Sequence, residues 1–141
     1  MAASSSATTV WEGDLGHGSG VTTPASDAFG TVDVSWASRT ERAAGTTSPE
    51  ELLAAAHSSC YCMQLSHELG EAGTPPDRLE ATAEVDFVPG EGVTFSHITV
   101  SGQVPGIDQD AFAAAAASAG ENCPISGALS IPITVDATLE S

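Results

Sequence analysis

Hydrophobic positions in this chain follow two periods. Residues 79–88 alternate strictly, with Leu79, Ala81, Ala83, Val85 and Phe87 apolar and charged or hydroxyl residues between them, which predicts a strand with one buried face. Gly90-Glu-Gly92 supplies the turn and residues 93–104 the returning arm of a hairpin. Shorter alternations at residues 10–13, 20–23 and 31–37, broken by Gly, Pro and Asp, read as antiparallel strands of a meander, and 39–47 as a loop carrying Gly45. Between the two strand regions the period changes. Ser48 is an N-cap, Pro49 fits the first helical position and Glu51 completes an S-x-x-E box. From Leu52 to Met63 only His57, Ser58 and Ser59 are polar, so this helix is apolar nearly all round and either runs through a core or lies under a partner chain. It ends near Gly70 or Gly73, because Pro75-Pro76 forbids continuation. Asp108 caps a second helix over 109–119 with Phe112 as its largest apolar residue, Gly120-Glu-Asn-Cys-Pro turns the chain, and Pro124 opens a short helix through Leu129. Residues 131–139 form the last strand. This order predicts an α+β fold: a flexible segment over 1–8, then one domain over 9–141.

Charge narrows the function. Nineteen acidic residues oppose only Arg39, Arg42 and Arg78, a net charge of −16. Such a surface repels phosphate backbones and anionic headgroups, so neither nucleic acid nor a membrane is an expected partner. With 41% apolar and 16% charged residues the chain is too hydrophobic for a disordered acidic tail. The first ten residues have neither a positive n-region nor an apolar run of signal-peptide length, and no 18-residue apolar stretch exists; the expected compartment is the cytoplasm.

Candidate chemistry rests on three cysteines, too few and odd in number for a disulfide-scaffolded secreted domain. Cys60 lies mid-helix among small residues that leave room beside its thiol. Cys62, about 200° further round, faces away from it, and a buried thiol against a sheet is its simplest role. Cys123 stands ahead of a helical start, where the dipole favours a thiolate. Each also fits a buried small hydrophobe. A metal site from His57, Cys60, His67 and Cys123 lacks any C-x-x-C or H-x-x-x-H pair, so no metal and no cofactor is expected. Glu50 and Glu51 are explained as cap and dipole residues, Arg39 and Arg42 as loop charges.

Taken together, these segments resemble the OsmC/Ohr family of thiol peroxidases. Gly45-Thr-Thr-Ser-Pro-Glu-Glu-Leu-Leu-Ala-Ala-Ala-His-Ser-Ser-Cys60 is similar to its first signature and Glu121-Asn-Cys-Pro-Ile-Ser-Gly-Ala-Leu129 to its second. Trp11-Glu-Gly-Asp14, Leu65-Ser-His-Glu-Leu-Gly-Glu-Ala-Gly73, Val104-Pro-Gly-Ile107 and Ile133-Thr-Val-Asp136 extend the likeness from Trp11 onward, and His57 after the alanines resembles the OsmC branch. Cys62 departs from the pattern, where a small residue usually stands.

The resemblance implies antiparallel sheets packed on a long buried central helix, in an intertwined homodimer. It implies a peroxidase acting on organic hydroperoxides and less well on hydrogen peroxide, in oxidative and osmotic stress defence. Cys60 is then the peroxidatic thiolate and Cys123 the resolving thiol, restored by a dithiol such as a lipoylated protein. An arginine holds the thiolate and a glutamate holds the arginine: Glu50 matches, with Arg39 the better match and Arg42 its rival. Phe29, Trp36, Leu53 and Tyr61 are candidates for an apolar peroxide pocket. Glu50 and Cys60 are ten residues apart, about 15 Å along one helix. Serving one site therefore requires two antiparallel copies of the helix across a two-fold axis. Two alternatives remain: a small hydrophobic-ligand binding protein on the same fold with idle cysteines, and a purely structural Cys60–Cys123 disulfide.

Overall fold

The computed structural model describes residues 2–42 and 44–140, and the chain divides into two compact units, 1–52 and 53–141. In the first, strands β1 (Ala7–Glu12), β2 (Ser19–Pro24) and β3 (Val32–Val34) form an antiparallel sheet in that order. Strand β1 starts three residues before the alternation at Val10 suggested. Residues 36–40, expected as the end of a strand and the start of a loop, instead form a short helix, α1 (Trp36–Thr40). Its cause is a reciprocal cap: the Ser38 amide donates to the Ser35 hydroxyl at 3.1 Å, and the Ser35 amide donates to the Ser38 hydroxyl at 2.9 Å.

Helix α2 (Pro49–Glu71) starts and stops as its sequence predicts. The Glu51 amide donates to the Ser48 hydroxyl at 3.1 Å, but the Glu51 carboxylate accepts from the Thr47 hydroxyl and pairs with Arg42. Along residues 53–71 the helix buries a single stripe, His57, Tyr61, Leu65 and Leu69, four residues apart. The opposite side, Ala55, Ala56, Ser59, Met63 and Ser66, is exposed in the single chain. The all-round apolar character therefore divides into one packed face and one uncovered face of small residues and methionine.

The second unit also contains β4 (Arg78–Val88), β5 (Gly92–Gln103), α3 (Gln109–Asn122), α4 (Pro124–Ala128) and β6 (Ile133–Leu139). The β4–β5 hairpin is antiparallel, and Glu80, Thr82, Glu84 and Asp86 face solvent between the half-buried apolar positions. Strand β6 pairs with β5 in parallel, from Ser96↔Ile133 to Gly102↔Leu139, which corrects the expectation of wholly antiparallel sheets. Two helices separate these strands, and a connection of that length can return the chain in the same direction. The α2 stripe, Ile98 and Val100 of β5, and Phe112, Ala116 and Ala119 of α3 form one core. Tyr61 belongs wholly to it, donating its hydroxyl to the Ala116 carbonyl at 2.9 Å, and so is not the pocket residue proposed from sequence.

Helix α3 and strand β5 approach closely at Gly102. A Cβ there would lie 2.6 Å from Phe112 Cζ and 3.0 Å from Leu79 Cδ2. Gly102→Ala should therefore lower stability by about 1–3 kcal/mol through forced repacking. In urea unfolding the midpoint should fall with an unchanged m-value.

Candidate active site

The two motif cysteines come together within the second unit. Cys60 lies half-buried on α2 against the core. Cys123 is buried at the junction of α3 and α4. Pro124 makes that junction: it has no N–H to extend α3, and it drives the preceding residue out of the helical region. Cys123 accordingly sits at φ −57°, ψ 125°. Its amide still donates to the Ala119 carbonyl at 2.9 Å, while its carbonyl accepts from the Gly127 amide at 3.0 Å. One residue thus closes one helix and opens the next. The thiols of Cys60 and Cys123 are free, both residues belong to one core cluster, and Cys123 lies near enough to bear on the ionisation of Cys60.

Burial pushes the Cys60 thiol above its ordinary pKa; the Ile125 backbone N–H, donated to its sulfur, pulls the other way, and the neighbouring Cys123 thiol raises it further. Within the first turn of α4 it is the Ile125 N–H that bears on Cys60, while the Cys123 side chain caps nothing. Cys62 is half-buried rather than buried; burial raises its pKa and the Ala81 backbone of β4 lowers it.

His57, one turn before Cys60, is fully buried, with Nδ1 2.7 Å from Ser96 Oγ and Nε2 2.7 Å from Ser126 Oγ. Both nitrogens are engaged by hydroxyls, so this imidazole offers no lone pair to a metal. Neither serine was singled out from sequence. Ser96 had a legible signal, a polar residue on the inward period of β5 two positions before Ile98.

In the first unit, α1 carries Arg39 to Glu50 at the start of α2. Arg39 Nε and Nη2 both donate to Glu50 Oε1, at 2.9 and 2.8 Å. Glu50 is 5% exposed, and its Oε2 is buried without a hydrogen-bond partner among the described residues. Arg42 goes elsewhere: Nη1 donates to the Ser38 carbonyl at 2.9 Å, and Nη2 lies 3.4 Å from Glu51 Oε2. Of the two arginines, it is Arg39 that pairs with Glu50.

Residues 42–138 match the family described as OsmC-like protein. Over 134 residues, 93% of each chain, the sequence is 37% identical to peroxiredoxin OsmC of Escherichia coli. The chain belongs to the OsmC family. Like that relative, it is a peroxidase. The OsmC fold is equally plain in solved structures. An OsmC-like protein of Vibrio cholerae superposes with a TM-score of 0.71 at 14% identity, covering 97% of this chain and all of its own. An organic hydroperoxide resistance protein OsmC of Legionella pneumophila superposes with a TM-score of 0.67 at 20% identity, covering 96% and 97%. No helix among the described residues is long and apolar enough to cross a membrane.

Burial lowers the His57 pKa from 6.5, so in this OsmC chain the native imidazole stays neutral where the unfolded one takes up a proton. Its contribution to stability is complete above the unfolded pKa and is lost as pH falls below it. Stability measured by urea unfolding should decline from about pH 6.5 toward pH 5, by up to about 1.4 kcal/mol per pH unit for this one proton. A His57→Asn variant, less stable throughout, should lack that share of the slope.

Proposed function

We propose that this peroxidase reduces organic hydroperoxides, and hydrogen peroxide less well, through Cys60 and Cys123. The Cys60 thiolate attacks the outer oxygen of the hydroperoxide. The O–O bond breaks, the alkoxide leaves with a proton as an alcohol, and Cys60 becomes a sulfenic acid. The Cys123 thiolate then attacks the sulfenic sulfur, the S–S bond forms and hydroxide leaves as water. A dithiol returns both thiols and is itself oxidised to a disulfide. The observation that carries this reading is the approach of the two thiols in a chain so similar to a named peroxiredoxin.

The first step needs a thiolate, which burial and the Cys123 thiol disfavour at Cys60 while the Ile125 N–H favours it. A guanidinium would reverse that balance and polarise the peroxide as its O–O bond breaks. Arg39 is our assignment for that role, with Glu50 as the residue that orients it; the pairing of Arg39 with the buried Glu50 supports this choice over Arg42. A homodimer would bring Glu50 of one chain to Cys60 of the other, and the uncovered small-residue face of α2 fits a helix of a second copy.

Intact-mass measurement after adding one equivalent of cumene hydroperoxide to the reduced protein tests the cycle. Wild type should lose two hydrogens, Cys123→Ser should gain one oxygen, and Cys60→Ser should hardly react. Arg39→Gln should slow Cys60 oxidation by about a hundredfold or more, while Arg42→Gln should stay within about threefold of wild type. A wild type that remains a dithiol would end the proposal, and equal effects of the two arginine variants would end the assignment of Arg39.

A further inference from the structure

His57 is the largest polar group in the core whose purpose neither the fold nor the reaction above has used. Its imidazole lies at zero exposure between two serine hydroxyls, both at 2.7 Å, and those serines belong to different elements. Ser96 is on β5. Ser126 is on α4, three residues after Cys123 and one after Ile125. Cys60 lies three residues beyond His57, on the next turn of α2. The Ser96–His57–Ser126 chain therefore joins the sheet to the five-residue helix whose Ile125, with the adjoining Cys123, packs in the same core cluster as Cys60. It is the Ile125 N–H and the Cys123 thiol that bear on the ionisation of Cys60.

A helix of five residues has almost no stability of its own, so its position is set by what it is fastened to. Cys123 and Pro124 fasten its start, and Ile125 packs against the core. The His57–Ser126 bond fastens the turn that follows. We propose that His57 is a positioning residue which holds α4 so that the Ile125 N–H and the Cys123 sulfur both remain on Cys60. The inference rests on the peroxidase reading above and deepens it. His57 touches no reacting atom. Its effect is exerted on the thiolate through one backbone donor, and on disulfide closure through the place from which Cys123 attacks the sulfenic sulfur.

A core histidine with no such role would affect stability alone, so the test reads chemistry at Cys60. The pH dependence of Cys60 alkylation by iodoacetamide, followed by intact mass and peptide mapping, reports its thiolate. Stopped-flow measurement of disulfide closure after a hydroperoxide pulse reports Cys123. In Ser126→Ala the alkylation midpoint should rise by about half a pH unit to one unit, and closure should slow by about fivefold, the worth of one hydrogen bond. Ser126→Thr, which keeps the hydroxyl, should recover most of both. Gly102→Ala serves as a variant destabilised elsewhere in the core and should keep the wild-type midpoint. His57→Asn is the second variant should Ser126→Ala fail to fold, and it should shift the midpoint in the same direction. A wild-type midpoint in folded Ser126→Ala, or an equal shift in Gly102→Ala, overturns the proposal. A wild type that alkylates normally but forms no disulfide removes the peroxidase reading alone, and the midpoint of Ser126→Ala still decides the role of His57.

Discussion

Pro124 imposes the constraint from which the geometry of the second unit follows. A residue without an N–H cannot continue α3, and the residue before it cannot stay helical, so the chain breaks at Cys123 and restarts at once as α4. The break leaves the first-turn amides of α4 without intrahelical acceptors. One of them finds the Cys60 sulfur, and the residue at the break itself presents the second thiol. A helix running unbroken through this segment would have offered Cys60 neither. The same break turns the chain toward β6, which then lies alongside β5.

Electrostatics work against a thiolate almost everywhere in this protein. Nineteen acidic residues face three arginines, and Cys60 is further penalised by burial and by its neighbouring thiol. A cation in so acidic a chain must be shielded from competing carboxylates to be useful. Glu50, itself nearly dry, pairs with the half-buried Arg39 through one oxygen, and its second oxygen has no hydrogen-bond partner among the described residues. A buried carboxylate is costly unless it is paired, and Arg39 is the partner that meets one of the Glu50 oxygens. Arg42, half-exposed against Glu51 and the Ser38 carbonyl, serves the link between α1 and α2.

Long-range geometry separates what the sequence disclosed from what it hid. Helix α2 was readable because Ser48, Pro49, the apolar run and the closing glycines are all local signals, and β4 because its alternation is uninterrupted over its whole length. Both thiols and the acidic partner were readable through their motifs. Helix α1 was not, since five residues with a Ser-to-Ser cap are a weak signal beside the β-like alternation around them. Gly120 suggested the end of α3, yet the helix runs on to Asn122. A Cβ at Gly120 would lie 2.8 Å from Val135 Cγ2, so the glycine is there for close approach to β6 rather than as a cap. The partners of His57 are 39 and 69 residues away in the chain, a separation that no local pattern encodes. Parallel and antiparallel strands alternate alike, which is why the direction of β6 was hidden too.

That direction has a consequence for how the protein is built. A hairpin such as β4–β5 can zip from its turn, each residue closing a loop barely longer than the last. The parallel β5–β6 ladder has no such starting point: Ser96 must find Ile133, and every later rung spans the same stretch of chain. The loop-closure entropy falls due all at once, before any rung compensates. Formation of this ladder is therefore suited to be the slow event of folding, with α3 and α4 shortening the gap as they form. Until β6 docks, the hydrogen-bonding edge of β5 stands open.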